Sequence, residues 1–139
     1  MKAFSFRLEQ VKRWRETELS LQESRVAAAA AQVAEIRRAI EARRRELDAA
    51  RVTGNADGAD LRAYADFRQR TEARIRDLEG QAVVAQRTLA TEMNRLVEAN
   101  RKVKLIENLK QRAQSAWTRE FDRELSAFAD EAFLNRYNR

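Results

Sequence analysis

Apolar residues recur in the second half of the chain at alternating steps of three and four. This spacing is a heptad repeat, and it predicts one long helix that presents a coiled-coil seam to a partner helix. Glu92 and Lys110 are the two polar residues at seam positions. The predicted seam positions are Ile75, Leu78, Ala82, Ala85, Leu89, Glu92, Leu96, Ala99, Val103, Ile106, Lys110, Ala113 and Trp117.

The first half of the chain carries a matching seam. One set of positions recurs every seven residues, which predicts a second long helix. Near the N-terminus the phase of the repeat changes, because Leu8, Val11, Arg15 and Leu19 are spaced at steps close to four residues. Such a change of phase alters the local supercoiling. The first-half seam consists of Leu19, Val26, Val33, Ile40 and Leu47, with Ala29 and Ile36 at the second seam position.

The segment VTGNADGAD at 52–60 interrupts both patterns. It holds Gly54 and Gly58 in a chain without proline. Gly and Asn tolerate positive φ, and Asp and Asn side chains bond to nearby backbone, so the segment predicts a chain reversal. A continuous helix that dimerises would leave this segment unexplained. We therefore predict an all-α fold: residues 1–139 form a single antiparallel coiled-coil hairpin, with helices at about 3–52 and 61–135 and a turn at 53–60.

The position of the turn also predicts the register. If both helices rise equally per residue, facing residues have numbers that sum to about 114. This places Ile36 opposite Leu78 and Ile40 near Ile75, and it sets the alanine-rich residues 26–33 against 81–85. Alanine buries little area, so we expect the alanine-rich section to contribute less stability than the sections near the turn and the termini.

The second helix should extend past the first by about 30 residues, or about 40–45 Å. This overhang begins near Gln111, and its aromatic residues have no partner left on the first helix. The stripe folds back on the hairpin, is disordered, or forms a docking surface; we favour docking, because unpaired aromatic stripes mark interfaces. The stripe consists of Trp117, Phe121, Leu125, Phe128 and Ala132, followed by Phe133 and Tyr137.

The amino-acid composition excludes several kinds of catalytic and metal-binding site. The 139 residues are 44% hydrophobic and 36% charged, and they include neither Cys nor His. Disulfides, thiol nucleophiles, histidine bases and cysteine or histidine metal sites are thereby excluded. We expect no enzyme activity, no catalytic residue, no metal and no cofactor. The first ten residues, MKAFSFRLEQ, are too charged for a signal-peptide core, so we expect a cytoplasmic protein.

The net charge of +6 arises from 28 basic and 22 acidic residues that are interleaved along most of the chain. Local basic clusters occur in KRWR at 12–15, RRAIEARRR at 37–45 and RKVK at 101–104, and the predicted register brings the first beside the third. A basic band of this kind can meet nucleic acid, anionic lipid or an acidic protein surface. Charge alone leaves these alternatives open.

Four segments, in this order and spacing, resemble the FliJ family of the bacterial flagellar type III export apparatus. They are FSFRLEQVKRWRETE at 4–18, LRAYADF at 61–67, KLIENLK at 104–110 and DEAFLNRY at 130–137. The resemblance implies an antiparallel two-helix coiled coil, similar to part of the ATP synthase γ subunit. It also implies a monomeric stalk, peripheral at the cytoplasmic face of the inner membrane.

The resemblance implies three partners and no nucleic acid. The stalk would engage the hexameric export ATPase FliI and promote its assembly and ATP hydrolysis, bind the export-gate protein FlhA, and escort export chaperones. For Leu8 and Val11, packing in the seam is a simpler explanation than contact with the ring. For Phe67, packing against Leu47 is a simpler explanation than contact with the gate. Mapped onto this chain, the ring-facing residues are Phe4, Arg7, Leu8, Val11, Arg13, Arg15, Lys104, Lys110, Trp117 and Phe121, and the gate-facing residues are Tyr64, Phe67, Thr71 and Leu78.

Three rival interpretations remain open from the sequence. The equivalent stalk of a virulence type III secretion system would share the architecture. A basic coiled coil that binds nucleic acid along an arginine-rich flank would lose affinity steeply with salt. A passive scaffold would self-associate through residues 111–139.

Overall fold

The computed structural model describes residues 1–51 and 54–137. Within these ranges the chain forms two α-helices and no strand: α1 spans Glu9–Ala49 and α2 spans Gly58–Tyr137. The helices pack against each other, which confirms the predicted all-α helical hairpin. Val52 and Thr53 of the predicted turn, and Asn138 and Arg139 of the predicted overhang, lie outside the described residues.

The start of α2 is set by a reciprocal cap. The backbone N–H of Asp60 donates to Asp57 Oδ1 at 2.8 Å, and the backbone N–H of Asp57 donates to Asp60 Oδ2 at 3.3 Å. Each carboxylate thus satisfies an N–H group that the first helical turn leaves without a partner. Neither Gly54 nor Gly58 has positive φ, so the predicted use of left-handed glycine is wrong for both. The turn segment acts through its aspartates instead.

The first helix begins at Glu9, later than the predicted start near residue 3. The backbone N–H of Glu9 donates to the carbonyl of Phe6 at 3.1 Å, which closes a turn directly before the helix. Residues 1–6 have no regular secondary structure. We call residues 1–6 the N-terminal segment.

Burial along both helices follows the predicted seams. Every predicted seam position from Ile75 to Trp117 is buried or half-buried, and so are the seven predicted between Leu19 and Leu47. The run before Leu19 is packed less tightly, since Leu8 and Val11 remain 36% and 38% exposed. The heptad pattern therefore correctly predicts which side chains are buried or half-buried from Leu19 onward, but it overstates the burial of Leu8 and Val11.

The chain divides into two compact units. Residues Leu21–Leu96 form the turn unit, and Met1–Ser20 with Val97–Arg139 form the terminal unit. In the turn unit Ile36, Ile40, Ile75 and Leu78 form one buried cluster, with Leu47 and three alanines packed against it. This cluster contains both pairs that the register sum predicted. In the terminal unit, Val103 and Ile106 are the buried apolar residues.

Candidate interaction surface

One polar layer crosses the seam of the turn unit. Gln22 is only 6% exposed, and its amide Nε2 donates to Glu92 Oε2 at 2.5 Å and to the Glu92 backbone carbonyl at 2.9 Å. The other carboxylate oxygen of Glu92 accepts from Arg95 at 2.9 Å. Both groups are thereby satisfied inside an otherwise apolar seam. This layer joins the two helices and holds their register.

The polar layer contains a residue that our sequence analysis missed. Glu92 stood out as a polar seam residue, but Gln22 did not. The signal was available: residue 22 lies three after Leu19 and four before Val26, and 22 and 92 sum to 114. A polar residue at one seam position calls for a polar partner at the facing one.

The second polar seam residue, Lys110, also has a partner on α1. Its Nζ lies 2.9 Å from Glu9 Oε2, in the terminal unit. The hydrogen bond from Lys110 lowers the pKa of the Glu9 carboxyl below its ordinary value. Both polar exceptions of the predicted seam are therefore paired across the two helices.

All ten predicted ring-facing residues lie in the terminal unit. Six of them keep exposed side chains that carry charge or apolar surface: Arg7, Leu8, Val11, Arg13, Lys104 and Phe121. Within residues 1–51 and 54–137, Arg7, Arg13 and Lys104 form no ion pair. Three free cations in one unit are available to an acidic partner.

The remaining ring-facing residues are engaged within the protein. Arg15 donates to Glu18 at 2.9 Å, and its guanidinium lies 4.5 Å from the ring centroid of Trp14. Phe4 and Trp117 contact each other, with ring centroids 6.1 Å apart. These side chains are already engaged in contacts within the protein, so they have fewer unpaired groups for a partner to bind.

The aromatic stripe of α2 is covered only at its beginning. The indole N–H of Trp117 donates to the Lys2 carbonyl at 3.1 Å, so the N-terminal segment supplies the partner that α1 cannot. Trp117 stacks on Phe121 with centroids 5.3 Å apart. Further along, Phe128 is 69% exposed and Tyr137 83% exposed. Within the described overhang, the large apolar side chains left exposed are Phe121, Leu125, Phe128, Phe133, Leu134 and Tyr137.

The predicted gate-facing residues all lie in the turn unit, at the start of α2. Tyr64 and Phe67 are half-buried, and therefore partly accessible. Thr71 and Leu78 are buried, at 7% and 4% exposed. The heptad spacing places Thr71 and Leu78 on the seam side of α2. In this conformation they therefore pack inside the helical pair and are not accessible to a partner.

The described residues show neither a metal-binding cluster nor a membrane span. Among the described residues, no group of three or more Asp or Glu side chains could hold a metal ion. No described helix has an apolar stretch of the length a membrane crossing requires. The distinctive chemistry of these residues lies on surfaces of the helical pair.

Fold and surface together define an α-helical hairpin protein whose exposed aromatic and basic residues suit protein contacts. The family model described as "Flagellar FliJ protein" matches residues 4–139. The chain therefore belongs to the FliJ family, whose members are flagellar export-related proteins not known as enzymes. The search of curated proteins and the search of solved structures each returned no match.

Proposed function

We propose that this protein is a stalk component of flagellar export that engages the hexameric export ATPase through its terminal unit. In this function it promotes assembly of the ATPase ring and ATP hydrolysis. The turn unit contacts the export gate, and the stalk also associates with export chaperones at the cytoplasmic face of the membrane. The observation that carries the proposal is the uncovered aromatic stripe of α2 in the same unit as unpaired basic residues.

The stripe is the main anchor of the proposed ring contact. Leu125 and Phe128 are three residues apart on one helical face, and both are more than half exposed. Burying two such side chains in a partner provides roughly 3–6 kcal/mol by the transfer relation. Interface energy concentrates on a few well-buried anchors near the centre of a contact. The exposed stripe is therefore the surface whose loss should affect ring binding most.

The free cations supply orientation and association rate. Arg7, Arg13 and Lys104 form no ion pair in the described chain, so an acidic rim on the ATPase would meet them without breaking one. Leu8 and Val11 are accessible enough to add apolar contact at the same unit. Lys110, Arg15 and Phe4 act indirectly, by holding the helices and the N-terminal segment in place, and Trp117 is covered by that segment.

The proposed gate contact uses Tyr64 and Phe67 as direct residues. Their side chains are half-buried, which leaves part of each ring for a partner. Thr71 and Leu78 hold that face against α1. The gate contact is thus predicted to lie in the turn unit and the ring contact in the terminal unit.

The test is the ATPase rate of the cognate export ATPase, titrated with the protein and with a Leu125→Ala/Phe128→Ala variant. Both residues are exposed, so the variant should fold normally and stimulate at least tenfold less well at a given concentration. Val84→Ala is the matched control, because Val84 is 62% exposed but lies in the turn unit. Equal stimulation by all three proteins, or none by the folded parent, contradicts the proposal.

A further inference from the structure

The N-terminal segment occupies the beginning of the aromatic stripe. The Lys2 carbonyl accepts the indole N–H of Trp117, and the ring of Phe4 lies against the same indole with an interplanar angle of 59°. Trp117 is in turn stacked on Phe121 at 12°. The chain's own first residues therefore cover the point where the stripe begins, whereas Leu125 and Phe128 beyond it have no cover.

The contacts that hold the segment are few and reversible. Apart from the Phe4 and Lys2 contacts, the described chain shows a hydrogen bond from the Glu9 backbone N–H to the Phe6 carbonyl at 3.1 Å and an ion pair between the Met1 amino group and Glu124 at 3.8 Å, with Glu124 largely exposed. Exposed pairs of this kind contribute little. The segment has no helical hydrogen bonds of its own, so it can leave the stripe without unfolding α1.

We propose that residues 1–6 are a displaceable cover of the docking stripe, which a binding partner must move aside to reach Trp117. The partner is a protein with an apolar cleft that receives aromatic side chains; its identity as the export ATPase rests on the function proposed above. The apparent affinity for that partner equals the intrinsic affinity multiplied by the fraction of molecules in which the cover is open, so closure by the cover lowers it. The stripe thus has an inner section that is masked and an outer section, with Leu125 and Phe128, that is free for first contact.

The cover itself can be tested without any partner. In a Trp14→Phe background, Trp117 is the only tryptophan. Phe4→Ala should shift the Trp117 emission to longer wavelength and raise its acrylamide quenching constant about two- to threefold, because the indole loses its covering ring. Ser5→Ala is the control, since Ser5 lies in the same segment with an exposed side chain. Unchanged quenching in Phe4→Ala overturns the proposal.

The effect on binding distinguishes a cover from a contact. In titrations with the export ATPase, Phe4→Ala should bind about three- to tenfold more tightly than the parent, while Ser5→Ala binds like the parent. Weaker binding of Phe4→Ala overturns the proposal, because it makes Phe4 part of the docking surface. Absence of binding by every variant refutes the proposed ring partner instead, and the quenching result then decides the cover separately.

Discussion

Replacement of Gln22 by leucine tests the polar layer of the seam. Leucine keeps the approximate size of the side chain but cannot donate to Glu92. The carboxylate then loses the amide hydrogen bond at 2.5 Å and keeps only the bond from Arg95. Because the Glu92 side chain is 15% exposed, solvent can replace little of what is lost.

The expected magnitude follows from two opposing contributions. Losing hydrogen bonds to a charged group costs about 2–3 kcal/mol, and burying the leucine side chain regains about 1 kcal/mol. The net loss in the free energy of unfolding is then about 1–2 kcal/mol. For a protein of this size that loss lowers the melting temperature by about 3–8 °C.

The assay is thermal and urea unfolding followed by helical circular dichroism. Gln86→Leu is the matched control, because it makes the same chemical change at an exposed position outside the seam. The double variant Gln22→Leu/Glu92→Leu should regain at least the parental stability, because it replaces the polar layer by an apolar one. If Gln22→Leu is as stable as the parent, or the double variant is the less stable of the two, the reasoning is refuted.

Three further predictions follow. Gly80→Ala should raise the free energy of unfolding by about 0.5–1 kcal/mol in urea unfolding, because Gly80 is inside α2 and an added Cβ meets no atom within 4 Å; a loss would contradict this. The bond from Lys110 lowers the pKa of Glu9, so the pair's contribution to the free energy of unfolding is complete above the ordinary pKa of 4.5 and is lost as the pH falls below it. In acid unfolding curves, the Glu9→Gln variant should therefore lose less stability than the parent across that pH range. Phe67→Ala should weaken gate binding at least fivefold in a pull-down or calorimetric titration and leave ATPase stimulation intact, and simultaneous loss of both would indicate unfolding.

Much of the fold was predictable because helix packing obeys a short sequence period. A coiled-coil seam requires apolar residues every 3.5 positions on average, so the sequence states which face of each helix is buried. The break at 52–60, in a chain without proline, then indicates one reversal, and equal rise per residue relates Ile36 to Leu78. These inferences need only local spacing and a turn position.

The candidate surface was predictable in composition but not in detail. The exposed stripe from Phe121 onward follows from the unequal lengths of the two arms. Trp117 was assigned to the unpartnered stripe, yet Lys2 and Phe4 contact it. A non-helical segment has no period that the sequence can report, so its path over α2 could not be inferred.

By itself the sequence determined the two helices and their buried faces, because these depend on periodic spacing, and it determined the antiparallel pairing through the break at 52–60. Only the tertiary structure decided which polar groups meet, as with Gln22 and Glu92, and which part of the stripe is covered, as with Phe4 on Trp117. Such contacts join residues far apart in the chain, and their formation depends on distance and orientation across the helix pair. That is why the docking surface is read from the sequence as a stripe, and from the structure as a stripe with a masked and a free section.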